Sequence, residues 1–174
     1  GINKMKYLLT LFTVLTFVSV SFAQQQAENN RLFIIERSKN ANVVCYDANM
    51  TKDGKIDKEK PVDAYWIMYA ENAGREEISA FEKRAYGFKI KYNESAKDFD
   101  FSLKAVENKN MNIIMVDGNP KVKIMINNTE SYLNKVYIQS KDGPLGIPKV
   151  YYYVLYGTTI ASNENIEEKI ILKK

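Results

Sequence analysis

Oxygen-bearing side chains alternate with other residues through Asn49-Met50-Thr51-Lys52-Asp53-Gly54-Lys55-Ile56-Asp57, the spacing in which a twelve-residue calcium loop presents its ligands. In that frame Asn49, Thr51, Asp53 and Asp57 take the first, third, fifth and ninth places, Gly54 the sharp turn and Ile56 the eighth. Calcium is the one cofactor these residues suggest. Lys60 stands where such a loop carries its bidentate glutamate, and Val43 to Tyr46 reads as a strand rather than an incoming helix. A polar connection that turns at Asp53-Gly54 accounts for the same residues without a metal.

A second candidate is the polar run Glu36-Arg37-Ser38-Lys39-Asn40-Ala41-Asn42 between two apolar segments. It reads as a charged hairpin turn or as an anion-recognising loop, with Arg37 and Lys39 as donors and Arg84 or Arg75 as further cations. The third is aromatic: Tyr65-Trp66 in one apolar run, and Tyr151-Tyr152-Tyr153 with Tyr156 in another. Tyrosine suits a pocket because it joins an apolar ring to a hydrogen-bonding tip, and aromatic residues are also simply good core and sheet formers. Histidine is absent from the chain. That removes Ser-His-Asp and Cys-His catalysis and histidine-ligated metals. Carboxylate chemistry, a serine or lysine nucleophile, or no catalysis remains. Glu36, Glu71 and Glu82 show no spacing that specifies a carboxylate pair, so no catalytic residue is assigned.

The elements that must position these groups are mostly strands. Apolar and polar residues alternate cleanly over Phe88–Asn93, Asp98–Lys104 and Lys121–Ile124, the period of a half-buried strand. Further strands are predicted at Leu32–Glu36, Asn42–Asp47, Tyr65–Tyr69, Met111–Val116, Tyr132–Ser140, Val150–Tyr156 and Glu168–Leu172. Asparagine, aspartate, glycine and serine clusters separate them, as in an antiparallel meander. So many strands in one small domain predict an antiparallel β-barrel or a two-layer β-sandwich. One short helix is predicted over Glu76–Tyr86. Ile78, Phe81 and Ala85 share a face there, acidic residues open the segment, basic residues close it, and Gly87 stops it. Cys45, the lone cysteine, reads as a buried small hydrophobe, with an intermolecular disulfide as the alternative.

The amino terminus has the pattern of an export signal. Met5-Lys6 supplies a start and a charge, Tyr7 to Phe22 is an uncharged apolar run, and Ser21 and Ala23 stand at the −3 and −1 places of a cleavage site. Residues 1–4 read as a cloning scar or a misplaced start, 5–23 as a signal peptide, 24–31 as a flexible polar lead and 32–174 as a single β-rich domain. Cleavage after Ala23 leaves no stable membrane span and a periplasmic or secreted product. The chain carries 25 basic and 21 acidic side chains. Their signs are interspersed, which argues against a nucleic-acid partner.

The order Phe33-Ile34-Ile35-Glu36-Arg37-Ser38-Lys39-Asn40, then Val44-Cys45-Tyr46-Asp47, then Pro61-Val62 with Tyr65-Trp66-Ile67, then Arg84-Ala85-Tyr86-Gly87, resembles a family of short exported bacterial proteins catalogued as a domain of unknown function. The resemblance covers mainly Phe33 to about Tyr92. It implies no activity, and it singles out Arg37, Lys39, Asn40, Tyr65, Trp66, Arg84 and Tyr86 as a candidate ligand-binding set or, equally, an arginine network around Trp66. The expected function is a non-catalytic binding module of the cell envelope for a small apolar or amphipathic ligand. The alternatives are a structural protein that docks another envelope protein and, further off, a carboxylate-based hydrolase. A side-chain-filled interior favours docking, and an enclosed cavity favours a bound ligand.

Overall fold

The computed structural model describes residues 29–106, 108–142 and 148–172, so the expected signal peptide lies outside the described residues. None of the described helices is long and apolar enough to cross a membrane. The described chain is mainly β, one sheet curled into a half-barrel. Its strands are β1 (Arg31–Arg37), β2 (Val43–Ala48), β3 (Val62–Ile67), β4 (Arg75–Glu77), β5 (Phe88–Asn93), β6 (Asp98–Leu103), β7 (Met111–Val116), β8 (Asn119–Ile126), β9 (Thr129–Asp142), β10 (Pro148–Thr159) and β11 (Asn165–Ile171). One helical turn, α1 (Lys83–Tyr86), joins β4 to β5.

The strand order is β4-β3-β2-β1-β9-β8-β7-β6-β5, with β10 on the other side of β9 and β11 beyond it. Strand β9 makes this possible because it is long enough to serve two neighbours on one edge. Residues 129–132 pair with β8, and residues 135–138 pair in parallel with β1. The sheet therefore forks at Leu133-Asn134 into one wing of β1–β4 and another of β5–β8. The parallel β1·β9 pair departs from the expected meander; every other strand pair is antiparallel.

Two local features hold the fork. The ladder between β9 and β10 slips by one residue at Asn134, whose amide donates to Thr158 Oγ1 at 2.8 Å. Across it, a Cβ on Gly157 would lie 2.5 Å from both Ile126 Cδ1 and the Tyr132 carbonyl oxygen. Only glycine allows the backbones that close an approach. The β7–β8 and β8–β9 hairpins turn through Asp117-Gly118 and Asn127-Asn128, all four at positive φ, as the polar turn sequences required.

Between the wings the interior is packed with side chains. Phe33 stacks on Tyr46 with centroids 4.4 Å apart and meets Phe101 of the facing wing edge-on at 6.0 Å. Phe88 touches both Tyr46 and Phe101. Ile35, Val44, Ile113, Val122, Ile126, Val136 and Leu155 are fully buried around them. Cys45 is buried on the opposite face of β2 with Val43 and Tyr65, where burial pushes its thiol pKa up.

The helix expected over Glu76–Tyr86 is reduced to its last turn. Glu76 and Glu77 pair instead with Trp66 and Tyr65 of β3, so the tertiary ladder overrides the helical pattern. The helix start falls at Ser79, where Ser79 and Glu82 exchange backbone-to-side-chain hydrogen bonds as a capping box. The predicted apolar face dissolves accordingly: Ile78 is buried, while Phe81 is 61% exposed and Ala85 faces solvent. Gly87 does end the turn, with its N–H on the Lys83 carbonyl at 3.0 Å.

Candidate functional site

Register sets which predicted residues meet. Ile35, Val44 and Trp66 lie side by side on the inner face of β1–β3, and Arg37, two residues beyond Ile35, shares that face. Its guanidinium lies over Trp66, 4.4 Å from the ring centroid, and 6.0 Å from that of Tyr86. The Tyr86 ring meets Trp66 edge-on at 5.1 Å. Arg37 donates to the Tyr86 hydroxyl at 3.4 Å and to Asn40 Oδ1 at 3.2 Å. Thus four of the seven residues singled out in the sequence, Arg37, Asn40, Trp66 and Tyr86, form one cluster.

This cluster has unmet valence. Arg37 Nε and Trp66 Nε1 are both shielded from solvent and lack a hydrogen-bond partner. No described carboxylate lies within ion-pair distance of Arg37. Stacking on an indole is how a guanidinium is accommodated without a counter-ion, because the ring face is negative and the planar cation is weakly hydrated.

The other three residues stand elsewhere. Tyr65, next to Trp66 in the chain, points to the outer face. There its hydroxyl donates to Asp47 and accepts from Arg31 at 3.3 Å, and Arg75 lies 3.6 Å over its ring. Burial first, then the bond to Asp47, push the Tyr65 pKa up to about 12. Arg84 is exposed on α1 with its guanidinium 5.7 Å from the Phe81 ring. Lys39 is exposed on the β1–β2 turn.

Tyr86 also walls an open cleft of about 500 Å³ where β3, the segment after β4, α1 and β5 come together. Val62, Ala64, Ile78, Tyr86 and Phe88 give it an apolar floor, and Lys60, Lys83 and Lys104 stand at its rim with Asp63 and Glu77. The elements explain the arrangement. Val62 and Ala64 are the inner-face residues of β3, Ile78 follows β4, and Lys83 and Tyr86 stand at the two ends of the helical turn. Lys104 donates to the Lys83 carbonyl at 3.2 Å, Lys60 pairs with Asp63 at 3.5 Å, and Lys83 has no ion-pair partner among the described residues. Sequence reasoning missed this cleft. Its lysines come from three separate segments, and only the alternation of β3 pointed to its floor.

The Asn49–Asp57 loop is a tight turn around Gly54, at φ +76°, closed by a bridge between Met50 and Ile56. Its oxygens are engaged by the chain itself. Asp53 binds Lys55 at 2.7 Å and accepts from Thr51, which hold its carboxyl down to about 2, while Asp57 accepts from Glu59 N–H at 2.9 Å. Asn49 donates to the Lys60 carbonyl. Among the described residues no three histidine, cysteine, aspartate or glutamate side chains are grouped to hold a metal. Glu36, Glu71 and Glu82 are separated and bind Lys135, Asn42 and Ser79 respectively. The tyrosine run divides by face: Tyr153 is buried in the core, whereas Tyr152 and Tyr156 lie outside under Lys169 and Lys135.

Residues 33–169 match the model of a family described as Domain of unknown function (DUF4833). Among curated proteins and among solved structures nothing matches.

Proposed function

The chain belongs to the DUF4833 family, and from that premise we propose that it is a non-catalytic binding module of the cell envelope that takes a small amphipathic ligand with an acidic group. The ligand lies in the open cleft beside Tyr86, with its apolar part on Val62, Ala64, Ile78 and Phe88 and its acidic end toward Lys60, Lys83 and Lys104. The observation that carries this reading is the pairing of an apolar floor with a lysine rim in a space of about 500 Å³, within the size range of small-ligand sites. The filled interior moves the expected site from the inside of a barrel to its open side. Arg37 acts behind the cleft as a positioning residue, holding Tyr86 against Trp66.

Trp66 is the only tryptophan and abuts Tyr86, so its emission reports on the cleft wall. Titrating the protein without its signal segment with a medium-chain fatty acid is expected to give a saturable change in that emission. Reversing Lys83 to Glu is expected to weaken binding about ten-fold, the loss of roughly 1.4 kcal/mol of charge-assisted contact. An unchanged emission together with a bare mass in native mass spectrometry would sink the proposal.

A docking role is the second reading. It is supported by the side-chain-filled interior and by β11, whose far edge pairs with no other described strand.

A further inference from the structure

The forked sheet has three free edges, and they are not alike. Strand β4 is three residues long. Strand β5 alternates Lys89 and Lys91 on its solvent side, like charges that repel an added strand. Strand β11 is seven residues long, unbroken by proline or bulge, and reads Asn165-Ile166-Glu167-Glu168-Lys169-Ile170-Ile171. Of the three it alone is long and carries both signs of charge. Ile171, at its end, is 70% exposed.

The hydrogen-bond phase of β11 is fixed by its partner. Leu172 N–H donates to the Tyr151 carbonyl, and Thr159 N–H donates to the Glu164 carbonyl. Directly opposed residues in an antiparallel ladder alternate between bonded and non-bonded pairs. The even-numbered residues of β11 therefore spend their backbone groups on β10. Asn165, Glu167, Lys169 and Ile171 direct theirs to the free edge.

We propose that β11 pairs antiparallel with β11 of a second copy, centred on Glu168, joining two half-barrels through one continuous sheet. In this register Glu167 faces Lys169 of the second copy and Lys169 faces its Glu167. Ile166 faces Ile170, Asn165 faces Ile171, and every pair at an outward-directed position joins two residues whose backbone groups are free. Glu168 meets Glu168 at the centre without an open clash of charge. Each is already held by its own chain, from Lys109 at 2.7 Å and from Asn127 N–H at 2.8 Å.

Neighbouring registers fail on the same two counts. A slip by one residue sets bonded positions against spent ones. A slip by two sets Glu167 against Glu167 or Lys169 against Lys169, and like charges directly opposite are destabilising. Longer slips leave only short overlaps. Closed two-fold pairing of this kind is isologous and ends at two copies.

The proposal is independent of the cleft and is tested by charge exchange. Glu167 and Lys169 are exposed, so reversing them leaves the fold intact. Sedimentation equilibrium of the protein without its signal segment is expected to give a dimer. Glu167→Lys and Lys169→Glu, singly, turn both cross-strand ion pairs into like-charge pairs and are expected to weaken self-association about ten-fold or more. The double exchange restores opposite charges and is expected to restore the dimer. A wild-type monomer, single variants that associate as wild type does, or a double variant that stays monomeric would each overturn the proposal. Fatty-acid titration of the single variants keeps the two readings apart, because the cleft is untouched by these changes.

Discussion

Tyr65 and Trp66 are neighbours in the chain and anchor opposite faces of the same wing, each beside arginine. On the outer face Arg31 has Asp47, Arg75 has Asp63 at 2.6 Å, and the Tyr65 hydroxyl bridges toward the acid. On the inner face Arg37 has an indole, a phenol and an amide, and no carboxylate. The outer cluster is electrostatically closed. The inner one keeps a positive charge and two unused donors beside the wall of an open cleft. One β-strand thus separates a surface whose charges are satisfied by the chain from one whose charge is not. That contrast locates the binding side of the molecule better than any single residue does.

The comparison is most severely tested at Trp66. Trp66→Ala removes the ring under Arg37 and a buried volume, and is expected to cost about 3–5 kcal/mol of stability in urea unfolding. A loss no larger than that of an outer-face change would mean the inner cluster is not the anchor described. Next comes the paired exchange of Asp47→Asn against Arg37→Met. The first strands Arg31 beside a lost carboxylate and is expected to cost about 1–3 kcal/mol, as for hydrogen bonds to charged groups. The second keeps an apolar stem on Trp66, removes a cation that has no counter-ion, and is expected to stay within about 1 kcal/mol of wild type. Equal losses would erase the distinction between the faces.

The smallest effect is expected from alkaline titration. The Tyr65 pKa is raised from 10.0 to about 12 in the folded protein. A folded state that holds its proton more tightly than the unfolded chain is favoured by it below pH 10, and that advantage fades as pH rises from 10 toward about 12. Phenolate absorbance of wild type compared with Tyr65→Phe reads this directly. The late-titrating step should vanish in the variant, and an unchanged curve would place Tyr65 outside the closed cluster.

Much of this arrangement is legible in the sequence where local chemistry decides it. Phe88–Asn93 and Asp98–Leu103 alternate as half-buried strands must, and Asp117-Gly118 turns where predicted. Arg37, Asn40, Trp66 and Tyr86 are read as a set and found as one. Other parts are decided by partners distant in the chain. Glu76-Glu77 before Ile78 looks like the first turn of a helix until β3 supplies a ladder for it. Tyr65 is grouped with Trp66 by adjacency, which in a strand is the surest way to reach opposite faces. Arg84 has the charge of a binding residue, and the shortening of the helix leaves it over Phe81 in solvent. The cleft needs Lys60, Lys83 and Lys104 from three segments, and no local pattern brings those together.

The parallel pairing of β1 with β9 carries a consequence in time. Ile34 meets Lys135 and Ile35 meets Val136 across about a hundred residues of intervening chain, and contacts of such separation slow folding because loop closure precedes any reward. Strand β1 is made first and can be seated only after β9 exists, so its apolar Leu32, Phe33 and Ile35 wait exposed through most of synthesis. A chain whose opening strand depends on its late ones stays unfolded until nearly complete, the condition in which a polypeptide can be threaded through a narrow pore before it folds on the far side.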